Sequence, residues 1–263
     1  MVLTLAVGAA SAAGKKKKGK PKLSPQTIAA ITNAKHLMSQ GSHGDVEAGI
    51  QSLGLLGTKH AVEPLVERIR AGLPPDLLET AIVTLMALGQ KSSGPALIEL
   101  TTHRRETVRL RAVEALAAVN PPGAEGALTA ALSDSDPKVR SAAATALGEI
   151  RARKSVETLF LALDRGNMEA SGAIGKLLRP GEAERLLGYL GKIPFRSLGP
   201  ALGEMLQRSD VKEGTKLKIV ARLEEVGTPE VKGYLGDLVS NAGESLGPKV
   251  SKAVLRAMQE IAD

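Results

Sequence analysis

A chain of 263 residues with no cysteine cannot carry a disulfide framework or a thiolate metal site. Its four aromatic residues (Phe160, Tyr189, Phe195 and Tyr234, with no Trp) argue against a β-sandwich core, while 43% hydrophobic residues suffice for a large helical one. Six of the seven net positive charges sit in Lys15, Lys16, Lys17, Lys18, Lys20 and Lys22, which excludes a basic surface spread over the whole body.

Val2 to Ala10 is a short apolar run followed by Ala10-Ser11-Ala12 and Ala13-Gly14. This resembles the apolar region and small-residue cleavage site of a secretory signal, although no Lys or Arg precedes it. The run is too short for a transmembrane helix. Residues 1–13 are therefore read as a signal peptide and the protein as periplasmic or secreted, with the cytoplasm as the alternative. Residues 14–24 form a Lys-rich linker whose like charges, Gly and Pro bury nothing.

Ser24-Pro25 opens a capping helix bearing Ile28, Ile31, Leu37 and Met38, and Gly41-Ser42-His43-Gly44 ends it. From there two apolar columns run in step. Leu53, Leu85, Leu116, Leu147 and Ile174 are separated by 32, 31, 31 and 27 residues. Leu65, Leu97, Leu128, Leu159 and Leu186, each twelve residues further on, repeat the same steps. Turn residues separate the helices at Gly57-Thr58-Lys59, Gly89-Gln90, Asn120-Pro121-Pro122-Gly123, Arg179-Pro180-Gly181 and Gly227-Thr228-Pro229. A period near 31 with two coupled columns predicts pairs of short helices that bury their apolar stripes only by stacking.

The clearest unit begins at Asp134. Asp136 suits an N-cap and Pro137 the first helical position, and Val139, Ala142, Ala143, Ala146, Leu147 and Ile150 then mark one helical stripe. Residues 134–148 read Asp-x-Asp-Pro-x-Val-Arg-x-Ala-Ala-x-x-Ala-Leu-Gly, which resembles a HEAT repeat of the kind shared with phycobilisome-lyase-type proteins. The resemblance is clear over residues 45–165, degenerates toward 191 and returns at 211–240. It implies an all-α fold, a right-handed α-solenoid of stacked antiparallel helix pairs with about six repeats plus capping helices. It also implies a structural inter-repeat pair between Asp136 and Arg140. The aromatic signature of tetratricopeptide repeats and the Thr-Pro-Leu-His of ankyrin repeats are absent.

Residues 25–191 are thus expected to form an N-terminal array, and 211–263 a C-terminal repeat with a capping helix opened by Gly247-Pro248. Between them, residues 192–210 are rich in Gly and Pro and are read as a bend holding one unpaired helix.

No motif points to catalysis, a cofactor or a metal. His36, His43, His60 and His103 are scattered, Gly54 to Lys59 lacks the spacing of a phosphate-binding loop, and the adjacent Glu224 and Glu225 diverge by about 100° on a helix. Charge is more informative. Arg104, Arg105, Arg109 and Arg111 cluster in one unit, and Lys138, Arg140, Arg151, Arg153 and Lys154 lie in the next. Equivalent positions on a solenoid line up, so Arg109 and Arg140, 31 residues apart, should stand in a row. Arg105 takes the place of Asp136 in the earlier unit, which leaves Arg104, Arg105, Arg109 and Arg111 as candidate contacts for an acidic partner.

Two functions are consistent with this pattern. The first is a non-catalytic scaffold that binds a protein partner through an extended solenoid surface. The alternative is nucleic-acid binding through the same Arg-rich row, opposed by the nearly neutral body and the lack of aromatic platforms. A lyase reading rests on family resemblance alone.

Overall fold

A computed structural model describes residues 23–262, all of it helix and connecting turn apart from one isolated bridge between Leu190 and Ile193. The expected signal peptide and most of the Lys-rich linker lie outside the described residues. The helices are α1 (Pro25–Gln40), α2 (His43–Leu55), α3 (Val62–Ala71), α4 (Pro75–Leu88), α5 (Gly94–Leu100), α6 (Glu106–Val119), α7 (Ala124–Ala131) and α8 (Pro137–Glu149). They continue as α9 (Val156–Asp164), α10 (Ala170–Leu177), α11 (Ala183–Leu187), α12 (Phe195–Gln207), α13 (Glu213–Val226), α14 (Pro229–Ala242) and α15 (Pro248–Glu260).

Local signals set the helix starts. Ser24 caps α1 by accepting from the Thr27 amide, and Pro25 takes its first position. Ser42 and Asp45 form a capping box at α2: each side chain accepts from the other's backbone N–H. The Asp136 carboxylate accepts from the amides of Lys138 and Val139 at the start of α8.

The helices form two layers. The even-numbered helices stack in succession, α2 on α4, α4 on α6, α6 on α8, α8 on α10 and α10 on α12. The odd-numbered helices flank them, α3 on α4, α5 on α6, α7 on α8 and α9 on α10, while α11 packs against α13. Both leucine columns are fully buried: Leu53, Leu85, Leu116, Leu147 and Ile174 in the even layer, and Leu65, Leu97, Leu128, Leu159 and Leu186 in the odd layer. Small residues allow the close approach in the even layer. A Cβ on Gly148 of α8 would sit 3.1 Å from the Ala173 Cα of α10, and one on Gly175 of α10 would meet the Ala201 carbonyl of α12 at 2.5 Å.

Residues 192–210 depart from expectation. They contain α12, which is partnered on both sides, against α10 and against α14. Leu198, Leu202 and Met205 are fully buried in it, and Pro200 is accommodated inside the helix on its exposed side. The Gly and Pro content that suggested a break serves close packing instead: Gly203 lies under the Tyr234 hydroxyl, which donates to the Gly199 carbonyl at 2.7 Å. Beyond α12 the close packing passes to α13 on α15, and α15 closes the stack.

Candidate partner-binding face

The arginines singled out in the sequence separate into three environments. Arg109, expected to be free, is built into the fold. Its Nε and Nη2 donate to the two carboxylate oxygens of Asp134, both at 2.7 Å, and Nη1 donates to the His103 carbonyl at 3.0 Å. Its side chain is only 13% exposed, so it is removed from the candidate contacts. Arg111 lies on the outer face of α6 and pairs with Glu114 at 2.9 Å and Glu79 of α4 at 4.0 Å. Arg104 and Arg105 are exposed at the α5–α6 turn and form no side-chain ion pair among the described residues. Together with burial, these two cations push the pKa of His103 below the ordinary imidazole value.

The expected Asp136–Arg140 pair does not form. The Asp136 carboxylate is engaged by the N-terminal amides of α8, and Arg140 Nη1 instead donates to the Asp134 and Ser135 carbonyls at 2.9 and 3.0 Å. Asp134, two residues earlier, takes the Arg109 guanidinium instead and links the two units. Burial raises the Asp134 pKa, but hydrogen bonds from Arg109 and from the Asp136 amide outweigh it and hold the carboxyl below its ordinary value.

A second feature follows from the helix register. The residue two positions after each even-layer column residue faces outward: Leu55, Ala87, Ala118, Glu149 and Lys176 are all exposed. They are separated by the same 32, 31, 31 and 27 residues as the buried column. Leu55 is 90% exposed and is the largest apolar side chain of this row. Val83, 42% exposed on α4, and Thr145 on α8 stand one turn toward the helix N-termini. On α2, α4 and α6 this row is apolar, and on α8 and α10 it becomes charged.

There the row enters a cleft of about 630 Å³ at the C-terminal ends of α8, α10 and α12. Glu149, Arg151, Arg153, Lys176, Glu204 and Arg208 line it. Arg208 is fixed: it grips Asp210 with Nε and Nη2 at 2.9 and 2.8 Å, and its Nη1 caps α10 by donating to the carbonyls of Gly175 and Leu178. Lys176 stands 3.9 Å from Glu204. Arg104 and Arg105 are at the other end of the even helices, about 20 Å away by the rise of a 14-residue helix, so they belong to a different edge.

The described residues contain no group of three or more His, Asp or Glu side chains placed to hold a metal ion, and no helix long and apolar enough to cross a membrane. Arg151 and Arg153 stand out in the sequence as charges, but only the folded chain brings them into one cleft. Its signal was present: the exposed row keeps the step of the buried one.

A family model described as HEAT repeats matches residues 94–170, from α5 to the start of α10. No curated protein matches the chain. Among solved structures, the complex of CpcE and CpcF of phycocyanin lyase from Nostoc sp. PCC7120 is similar at 19% identity and a TM-score of 0.47, covering 96% of this chain and 100% of that one. Human deoxyhypusine hydroxylase in complex with glycerol is similar at 14% identity and a TM-score of 0.44, over 89% and 98% of the two chains. A designed armadillo repeat protein in complex with a (KR)4 peptide is similar at 16% identity and a TM-score of 0.40, over 87% and 99%. Residues 94–170 are thus HEAT-like repeats, and the two leucine columns and stacked helical layers carry the same repeat architecture beyond them.

Proposed function

We propose that this protein is a non-catalytic scaffold that binds a protein partner along the outward face of α2, α4, α6 and α8. The observation that carries this reading is the exposed row Leu55, Ala87 and Ala118, with Val83 beside it. A row of exposed apolar side chains at repeat spacing is suited to covering by another polypeptide. The flanking Arg111, Glu79 and Glu114 supply a polar rim. With no aromatic side chain in the strip, the interface is of moderate strength.

The test is substitution of exposed residues that leave folding intact. Val83→Asp and Ala118→Arg should keep the wild-type melting curve and lose the partner that the wild-type chain retains in crosslinking from native extract. Partner retention by both variants would contradict the reading, and nuclease-sensitive nucleic acid in place of protein would replace it. Export to the periplasm or cell envelope forms the second part of the proposal, supported by the apolar run Val2–Ala10 and the small residues after it. N-terminal sequencing of the native protein should find cleavage near Ala13, and an N-terminus retained at Met1 would contradict it.

A further inference from the structure

We propose that the cleft at the C-terminal ends of α8, α10 and α12 receives acidic side chains of the docked partner, with Arg151 and Arg153 as its contact cations. This rests on the docking face proposed above and specifies the partner's chemistry.

The first observation is a row of left-handed backbone positions. Gly57, Gly89, Asn120 and Arg151 have φ of 58°, 61°, 44° and 57°. They follow one another at 32, 31 and 31 residues, each just past the end of an even helix. Glycine takes this conformation freely and asparagine tolerates it. Arginine has no such aptitude, so in the fourth unit an arginine is held where a glycine would relax the chain.

The second observation is what that arginine does. Its guanidinium makes no hydrogen bond or ion pair among the described residues, so internal packing does not account for it, and it lines the cleft. Arg153 lines the same cleft and faces Asp210, whose carboxyl is held below the ordinary value first by Arg208 and, more weakly, by Arg153. The other two cations are already occupied, Arg208 by Asp210 and helix carbonyls and Lys176 by Glu204. Two guanidiniums are therefore available against one unengaged carboxylate, Glu149.

The third observation selects the ligand. Guanidinium forks take carboxylates or phosphates in two-point contacts. A polyphosphate chain brings several negative charges against two free guanidiniums and the unengaged Glu149, whereas one or two isolated carboxylates match them. The exposed row of Leu55, Ala87 and Ala118 leads directly to Glu149 and Lys176 at the cleft. Apolar contacts followed by a cationic pocket fit an amphipathic acidic peptide.

The probe is a fluorescein-labelled peptide alternating Glu and Leu, with a Gln-for-Glu counterpart, titrated against the full chain by anisotropy. The Glu peptide should bind more tightly than the Gln peptide, with the difference shrinking at high salt. Arg151→Gly and Arg153→Gln should each weaken it roughly five- to tenfold, a typical size for one charge-assisted contact. Arg151→Gly should melt at or above the wild-type temperature because it relieves the left-handed arginine. Unchanged peptide affinity in a stable Arg151→Gly protein would overturn the proposal, as would equal binding of the two peptides or binding of neither. A single-stranded oligonucleotide that binds more tightly and depends on the same arginines would overturn it in favour of a phosphate ligand. Loss of binding in Val83→Asp alone, with both arginine variants unaffected, would reject the cleft and keep the docking face. Loss in the arginine variants alone would keep the cleft and reject the face.

Discussion

The guanidinium of Arg109 in α6 and the carboxylate of Asp134 in the α7–α8 turn meet through two parallel hydrogen bonds, each 2.7 Å long. Asp134 also accepts from the Asp136 amide at 2.8 Å, so the pair ties one unit to the turn that starts the next. With side chains 13% and 9% exposed, this is a largely desolvated pair, and removing one partner strands the other. Arg109→Ala should cost about 3 kcal/mol by the usual cost of breaking such a pair. Chemical denaturation should show the loss, and Arg109→Lys should recover only part of it because one ammonium cannot form both bonds.

The same pair sets a pH dependence. The folded-state pKa of Asp134 is depressed below its unfolded value, so its contribution is complete above the ordinary carboxylate range and is lost as pH falls through the folded pKa. Melting temperature should therefore decline below about pH 4, near the unfolded carboxylate value. Asp134→Asn should flatten part of that acid limb, starting from a lower plateau. An acid limb identical in both proteins would remove Asp134 from the account.

Leu147 sits fully buried between stacked even helices. Leu147→Asp places a carboxylate in a seam where nothing can pair with it, which should unfold the central units. Circular dichroism should show reduced helicity and a melt shifted far down or lost. An unchanged melt would mean that the two columns do not define the helix register.

These columns were legible in the sequence because burial of Leu53, Leu85, Leu116 and Leu147 imposes a strict period that nothing else explains. The caps at Ser24, Asp136 and Gly247-Pro248 were legible for the same local reason. The partner of Arg109 was not. Asp134 and Asp136 are chemically alike and two residues apart, and only the geometry of the α8 start decides that Asp136 is engaged as its cap. The Gly and Pro of residues 192–210 misled because the same residues that break a helix also permit close packing, as at Gly199 and Gly203 under Tyr234. The exposed row and the left-handed row were written in the sequence at the same spacing, but a small exposed residue leaves no mark until the helices are placed.

Where the repeat pattern degenerates, aromatic side chains take over the packing. Phe160 of α9 is buried beneath the Arg185 guanidinium at 3.6 Å and stacks on Tyr189 with ring centroids 5.8 Å apart. Tyr189 donates to Asp164 at 2.7 Å, and burial together with that bond pushes its pKa up to about 12. Phe160→Ala should cost about 3–5 kcal/mol, the usual range for a buried aromatic, and loosen α11 against α9. Native-state hydrogen exchange should show faster opening of residues 183–190, with α4 and α6 unaffected.

The most direct test of the docking face is site-specific photo-crosslinking in the native host, with the reactive residue placed at Val83, at Ala118 and, on the opposite layer, at Leu161. All three positions are exposed, so the substitutions leave the fold intact. Crosslinks to one common protein from Val83 and Ala118, with none from Leu161, are the expected result. Crosslinks from Leu161 alone, or equally from all three, would contradict a partner seated on the even-numbered helices.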